Sequence, residues 1–385
     1  MAHLNNRKEK GKFMKKVSVL GIGRLGLCFA ITLEKGGYSV VGYDIREDYV
    51  KSIRDLTFET CEPGVSDSLK KCKNLRVTVY LEEAVSHGDV LFVTVRTGSL
   101  SSGKFDHSQV EQLMGYLKSL GVQSIKKDLV ICCNVSPGYS NEVHEQMKDY
   151  NYTVSFNPEW VAQGTILYNQ SFPDVVVIGE GSKESGDIIE EIYSNICVNK
   201  PPCYRMDRLS AEIAKVSLNC YITMKLSFAN FVGDMALTAG VNPEVILKAV
   251  GTDSRVGNAY FKYGFGYGGY CFPRDNKALI HYSESLGIDP VINRATEAFN
   301  KNHLDMQVSM CSKKLDDNGQ DSMTMRSVAY KPGVTYIESS QQLLFAVKMA
   351  ERGYKITIEE DPIVIEQVKS LYGDLFEYKE RGTIL

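Results

Sequence analysis

The chain has 385 residues and a formal charge of -3 from 44 basic and 47 acidic side chains, a balance that gives no general attraction for nucleic acid or a membrane surface. Ten cysteines over this length do not make a disulfide scaffold. With no secretory leader and no apolar stretch of bilayer-spanning length, a cytoplasmic protein is expected. A chain this long buries more than one core, so two or three domains are expected.

Residues 1–14 include Arg7, Lys8, Lys10 and Lys12 and read as a flexible, solvated extension rather than a nucleic-acid arm. The apolar run Val17-Ser18-Val19-Leu20 then predicts a strand, followed by Gly21-Ile22-Gly23-Arg24-Leu25-Gly26 and a helical pattern through Leu33. Three glycines so placed permit a tight turn, close approach of the backbone to a pyrophosphate and close helix-strand packing, while the helix start offers unpaired N–H groups. The next strand, Ser39 to Tyr43, ends in Asp44. A carboxylate there accepts hydrogen bonds from both ribose hydroxyls and repels an added phosphate, so NAD is expected rather than NADP.

Further strands are predicted at Arg76 to Val79, Val90 to Val95, Leu129 to Asn134, Tyr152 to Phe156 and Val175 to Ile178, with helix-compatible stretches between them. This rhythm predicts a doubly wound parallel sheet. Ligand groups gather where such strands end, which makes candidate site loops of Thr97-Gly98, Asn134 to Gly138 and Asn157-Pro158-Glu159.

Helical periodicity runs from Ser210 to Ala239, with Lys215 and Asn219 four residues apart on one face. The segment is apolar on several faces, as expected of a buried connector or subunit interface, and an amine held there needs a partner. Asn242 can cap the next helix at Pro243. Further on, the glycine-rich run Gly266-Tyr267-Gly268-Gly269-Tyr270 leads directly to Cys271. Little side-chain bulk then lies over the sulfur, a setting for attack on a substrate more than for core packing.

Five separated blocks resemble the nucleotide-sugar dehydrogenases of the UDP-glucose/GDP-mannose dehydrogenase family, on the UDP-glucose side. They are Gly21 to Gly26; Asn157-Pro158-Glu159-Trp160-Val161-Ala162-Gln163-Gly164; Ala211 to Asn219; Asp253-Ser254-Arg255-Val256-Gly257-Asn258; and Gly266 to Asp275. Coverage is strong from Lys15 to His281 and weaker to Pro362. The resemblance implies oxidation of a primary alcohol on a UDP-linked sugar to a carboxylate by two NAD in succession, with UDP-glucose giving UDP-glucuronate. It implies Cys271 as nucleophile, Lys215 and Asp275 as the proton-handling pair, Asn219 as an orienting amide and Glu159 as an assistant to water chemistry. Thr97, Asn134 and Gln163 join the glycine loop and Asp44 around NAD. Trp160, Val161, Tyr260, Phe261, Gly268 and Lys331 join Lys215 and Asn219 around the UDP-sugar. Arg255 reaches the substrate of a neighbouring subunit, which implies a homodimer.

The chain departs from the family at Asn134, Tyr139 and Gln163, where threonine, threonine and glutamate are usual, and at Arg24, where an aromatic residue is common. Tyr336 and Glu338 stand where aspartate and arginine are usual. These changes leave open a dehydrogenase for another nucleotide sugar, or a catalytically weak NAD- or UDP-sugar-binding scaffold or sensor. The expected architecture is a Rossmann-type domain over 15–198, a helical dimerisation and substrate domain with a long central helix over 199–315, and an abbreviated α/β domain over 322–385. No metal is expected.

Overall fold

The computed structural model describes residues 15–381. The basic extension, residues 1–14, lies outside the described residues, as do the last four residues of the C-terminal domain. The chain forms two compact units, one of residues 15–98 and 107–212, the other of residues 99–106 and 213–381.

The first unit begins β1 (Lys16–Leu20), α1 (Arg24–Lys35), β2 (Ser39–Tyr43), α2 (Glu47–Arg54), α3 (Val65–Leu69), β3 (Leu75–Thr78), α4 (Leu81–His87) and β4 (Val90–Val93). A short ribbon, β5 (Gly98–Ser99) with β6 (Phe105–Asp106), interrupts it. It continues α5 (Ser108–Ser119), β7 (Lys127–Ile131), α6 (Tyr139–Met147), β8 (Tyr152–Phe156), α7 (Ile166–Ser171), β9 (Val176–Gly179), α8 (Lys183–Ile196) and β10 (Cys203–Met206). The sheet order is β10-β9-β8-β7-β4-β1-β2-β3. Two apolar clusters pack it, one including Val17, Val19, Phe29 and Phe92 and the other Leu20, Leu91, Leu129 and Phe156. Burial on both faces is why the central strands read as mainly apolar runs rather than as a polar-apolar alternation.

From β3 through β8 every pairing is parallel, as the sequence predicts. Strand β9 departs from the expected parallel sheet: it runs antiparallel to β8, with Phe156 opposite Gly179. Helix α7 has only six residues, about 9 Å of rise against about 17 Å for the five-residue strand it would have to retrace. A parallel return needs a longer crossover. The sheet also extends past residue 198 through β10, which pairs parallel to β9; its sequence, Cys203-Tyr204-Arg205-Met206, has no apolar run to announce it.

Helix α9 (Arg208–Thr238) starts in the first unit and continues into the second. It is followed by α10 (Pro243–Thr252), α11 (Cys271–Ser285), α12 (Val291–Asp317), β11 (Ser322–Met325), α13 (Gln341–Glu351), β12 (Lys355–Glu360), α14 (Pro362–Tyr372) and β13 (Glu377–Glu380). Asn242 caps α10 as predicted, its Oδ1 accepting from the Glu244 N–H at 2.9 Å ahead of Pro243. Strands β11, β12 and β13 form a parallel sheet in that order. Leu304, Val308 and Leu315 of α12 share one apolar core with Ile356, Ile358, Met349 and Val368, which joins the helical and C-terminal α/β layers. The edge strand β13 carries Glu377, Lys379 and Glu380, charges that discourage further strand pairing. The architecture is a Rossmann-type domain, a middle region of long helices and a C-terminal α/β layer. Among the described residues no helix is long and apolar enough to cross a membrane.

Candidate functional site

The three glycines of the β1-α1 turn sit in different surroundings. Gly21 has φ +96, and a Cβ there would lie 2.9 Å from the Val95 nitrogen. At Gly26 a Cβ would overlap the Gly21 carbonyl and Thr94 Oγ1, so the third glycine lets α1 pack on the sheet. At Gly23 a Cβ would meet no atom within 4 Å, and no side chain caps the N-terminus of α1 there. An open cradle of backbone N–H groups at a helix start suits a pyrophosphate. Ile22 and Leu25 face inward to the core, and Arg24 opens α1.

Asp44 follows β2 and is 6% exposed. Both of its oxygens are engaged by Arg46, Nε to Oδ1 at 2.9 Å and Nη2 to Oδ2 at 3.0 Å. The Arg46 guanidinium lies 4.0 Å from the Tyr49 ring centroid, and Tyr49 donates its hydroxyl to the Ile22 carbonyl at 2.8 Å. The carboxylate that ends β2 thus comes with a cation two residues away, which sequence spacing alone did not bring forward.

Thr97, Asn134 and Glu159 follow β4, β7 and β8 on the carboxyl side of the parallel strands. Glu159 is buried and accepts from Gln170 Nε2 at 3.3 Å; Gln170 Oε1 in turn accepts from Thr32 Oγ1 at 3.2 Å. Trp160 packs on one core cluster of this unit and Val161 on the other. Gln163 lies in the segment before α7, where buried Glu62 accepts from the Gly164 N–H at 2.8 Å and the Ile166 N–H at 2.7 Å. Glu212 does the same for the Asn134 loop, accepting from the N–H groups of Gly138 and Ser140 at the start of α6. Sequence reasoning passed over both Glu62 and Glu212, since their partners are main-chain groups 102 and 74 residues away.

In the second unit, residues distant in sequence meet around Cys271. The cysteine opens α11, which puts its side chain one turn from Asp275. Asp275 is 0% exposed. Its Oδ2 accepts from Asn219 Nδ2 of α9 at 2.6 Å, and its Oδ1 from Arg274 Nε at 2.9 Å. Arg274, absent from the predicted site, is buried with its guanidinium 5.0 Å from the Phe105 ring and 4.7 Å from the Tyr270 ring. Lys215, one turn before Asn219 on α9, is 7% exposed.

The thiol feels all of these groups. Cys271 is exposed as a residue, yet crowding by surrounding protein pushes its pKa up; Arg274 and Lys215 pull it down, while Asp275 and Glu338 push it further up. The Lys215 ammonium therefore acts in the expected direction, but desolvation outweighs it and the thiol lies above its ordinary value. Burial also pushes Cys220 and Cys197 up to about 12, with no cation opposing it. Cys271 combines exposure with two cations, the setting of a reactive thiol more than a structural one.

The chain matches the NAD-binding domain of the UDP-glucose/GDP-mannose dehydrogenase family over residues 15–197 and its central domain over residues 209–302. The chain belongs to this family. It is 25% identical over 374 residues to UDP-glucose 6-dehydrogenase YwqF of Bacillus subtilis, covering 94% of this chain and 83% of that protein. It is 27% identical to the GDP-mannose 6-dehydrogenase of Pseudomonas syringae, covering 94% and 85%. A UDP-glucose dehydrogenase structure from Pyrobaculum islandicum superposes with a TM-score of 0.87 at 29% identity, over 97% of this chain and 87% of that one. As a family member the chain is an NAD-dependent oxidoreductase of nucleotide sugars, and its first unit is an NAD-binding Rossmann domain.

The remaining expected substrate residues all lie in the second unit. Arg255 has a side chain 87% exposed and is held by its own loop, Nε and Nη2 donating to the two oxygens of Asp253 at 3.0 and 2.8 Å. Tyr260 is exposed, has φ 57 and packs edge-on to Phe272. Phe261 is a core residue, buried with Ala229 and Leu247. A Cβ on Gly268 would overlap the Ser339 carbonyl, and Gly269 packs on the Tyr330 ring, over which Lys331 Nζ lies 6.0 Å from the centroid.

Proposed function

We propose that the protein oxidises C6 of UDP-glucose to the carboxylate of UDP-glucuronate in two steps, through a covalent adduct on Cys271. The observation that carries this reading is the Cys271, Asp275 and Asn219 cluster, with Arg274 and Lys215 acting on the same thiol. A cysteine among fixed donors can trap an aldehyde that would otherwise escape between two oxidations. The two relatives named for UDP-glucose support the sugar.

NAD, held by the Gly21 to Gly26 loop and Asp44 with Thr97, Asn134 and Gln163 lining its site, supplies the hydride acceptor, one molecule for each oxidation. The C6 alcohol gives up a hydride to that acceptor and its hydroxyl proton to water or a basic side chain to become the aldehyde. Cys271 Sγ then bonds to C6 while its proton goes to the carbonyl oxygen, giving a neutral thiohemiacetal. Lys215 Nζ and Asn219 Nδ2 are assigned as donors to that oxygen, where preorganised hydrogen bonds stabilise developing charge. Loss of a second hydride and the hydroxyl proton gives the thioester. Water adds to it, the C–S bond breaks, and the thiol and sugar acid are released, with Glu159 or a water held by Asp275 as the base. Asp275 keeps the Asn219 amide and the Arg274 guanidinium oriented throughout. Trp160, Val161, Tyr260, Gly268 and Lys331 are assigned to the nucleotide-sugar pocket, and Phe261 to its support.

The working form is proposed to be a homodimer. Leu218, Tyr221, Phe228, Phe231 and Met235 recur at three- to seven-residue intervals along α9 and are all exposed, an apolar stripe that two-fold burial against a second copy would cover. Arg255 would then leave Asp253 to meet the partner's substrate diphosphate.

A second reading, oxidation of a different nucleotide sugar, is favoured by Glu338, an acidic residue whose charge reaches the Cys271 thiol where the family resemblance leads one to expect arginine. One experiment separates the two. Purified protein is supplied with NAD and, in turn, UDP-glucose, UDP-N-acetylhexosamines and GDP-mannose, and both NADH and sugar acid are quantified. Two NADH per acid with UDP-glucose alone supports the first reading, turnover confined to another sugar supports the second, and no acid from any of them defeats both.

A further inference from the structure

The segment between Phe261 and Tyr270 has no helix or strand, yet it delivers Cys271 to the start of α11. It is held by side chains that take no part in the proposed chemistry. Asn230 of α9 accepts from the Gly264 N–H through Oδ1 at 3.0 Å and donates through Nδ2 to the Phe265 carbonyl at 3.4 Å. Asn300 of α12 accepts from the Tyr267 N–H through Oδ1 at 2.9 Å and donates through Nδ2 to the Tyr267 carbonyl at 3.0 Å. Each amide thus pairs with the segment through both its oxygen and its nitrogen, as a neighbouring strand would. Behind them, His303 bridges the Gly264 carbonyl at 2.7 Å and Asp234 Oδ2 at 2.8 Å, and Tyr263 donates to Asp234 Oδ1 at 3.0 Å. On the Cys271 side the Gly269 N–H donates to the Glu338 carbonyl at 3.0 Å.

We propose that Asn300, paired with both main-chain groups of Tyr267, is a positioning residue that sets the register of the 264–270 segment and through it the place of the Cys271 sulfur. Asn230 fixes the other end of the same segment. Gly266 is part of the device, because a Cβ there would overlap Asn300 Oδ1. The catalytic consequence rests on the proposed role of Cys271; the effect on the sulfur itself does not. Only three residues separate Tyr267 from Cys271, so a shift of one backbone pairing carries directly to the thiol. Its surroundings are two cations and two carboxylates acting in opposite directions, a balance that a small displacement alters.

The test uses full-length Asn300→Ala, Asn300→Asp and Gly266→Ala proteins and the Gly266→Ala/Asn300→Ala double variant. The first readout is alkylation of Cys271 by iodoacetamide across pH, followed on the Cys271 peptide by mass spectrometry, which needs neither NAD nor sugar. The second is kcat and KM for oxidation of the nucleotide sugar, with the ratio of NADH to sugar acid. Asn300→Ala should shift the alkylation pH profile and lower kcat by roughly 10- to 100-fold, the scale on which a misplacement near 1 Å acts. NAD affinity should stay unchanged, and the NADH-to-acid ratio should rise above two as free aldehyde escapes after yielding one NADH and no acid. Asn300→Asp, which keeps the shape and the acceptor but loses the donor to the Tyr267 carbonyl, should fall between wild type and Asn300→Ala. Gly266→Ala should cost less in the Asn300→Ala background than alone, since the overlapping oxygen is gone. Folded Asn300 variants with wild-type alkylation profiles and kcat overturn the proposal, as does strict additivity of the Gly266 and Asn300 substitutions. If the wild type oxidises no nucleotide sugar while Asn300→Ala still moves the Cys271 profile, the functional reading fails and the positioning role stands.

Discussion

Replacing Asp275 by asparagine tests the electrostatic heart of the site. The carboxylate is fully buried between Arg274 Nε and Asn219 Nδ2, and the guanidinium it balances is also buried. An amide of the same shape takes the Asp275 charge away from that cation, and it has one acceptor oxygen where the carboxylate offered two. Removing one member of a buried ion pair costs about 3–5 kcal/mol, which for a unit of this size lowers Tm by roughly 10 °C. The thiol should respond in the opposite sense. Asp275 pushes the Cys271 pKa up, so its neutralisation lowers that pKa and speeds alkylation at a given pH below it. Arg274→Gln removes a group that pulls the pKa down, so its profile should move to higher pH. Thermal melting by circular dichroism and Cys271-specific alkylation across pH measure the two effects. An Asp275→Asn protein with wild-type melting, or one whose thiol profile moves to higher pH, would refute the ion-pair account.

The two inner glycines of the β1-α1 turn should separate stability from binding. Gly26→Ala, whose Cβ overlaps the Gly21 carbonyl and Thr94 Oγ1, should lose about 1–3 kcal/mol in denaturant melts, whereas Gly23→Ala, whose Cβ enters open space, should melt like wild type and lose NAD affinity in calorimetry. Arg46 offsets the Asp44 charge, so Arg46→Ala should leave a bare carboxylate that rejects the 2′-phosphate more strongly, lowering NADP affinity relative to NAD by roughly fivefold; an unchanged ratio would remove Arg46 from cofactor choice. Phe231→Asp places a charge within the exposed stripe of α9 and should give monomers in analytical ultracentrifugation, against dimers for wild type; a wild-type monomer would defeat the proposed assembly.

What the sequence revealed follows how local each signal is. Gly21, Gly23, Gly26 and Asp44 belong to one turn and one strand end, so spacing alone makes them candidates. Asn242 capping α10 and the apolar strands β1, β2, β4 and β8 are local in the same sense. The meeting of Asn219 with Asp275 spans 56 positions, and no periodicity announces it; only the resemblance of separated blocks put those residues in one site. Arg274 stood inside such a block but has no meaning there until its stacking between Phe105 and Tyr270 is seen. Glu62, Glu212, Asn230 and Asn300 were invisible for a common reason: each is a polar side chain whose partner is the main chain of a distant loop. The reversal of β9 was hidden because strand direction depends on what the short α7 connection can span, not on the strand's own residues.

The raised thiol pKa of Cys271 fits the proposed trap better than a permanently ionised sulfur would. A resting thiolate beside two cations would be open to oxidation and alkylation whenever the site stood empty. A thiol whose pKa the crowding protein raises, with Arg274 and Lys215 acting to ease its ionisation, ionises when a carbonyl is present to take up the electron pair. Addition then converts a neutral thiol and a neutral aldehyde into a neutral thiohemiacetal, so the site gains no charge in the product. Charge appears only in passing, on the oxygen assigned to Lys215 and Asn219 in the proposed mechanism, where preorganised donors count most. At the sulfur Arg274 and Lys215 act against Asp275 and Glu338, so Glu338→Gln should speed Cys271 alkylation below the thiol pKa while Lys215→Met slows it.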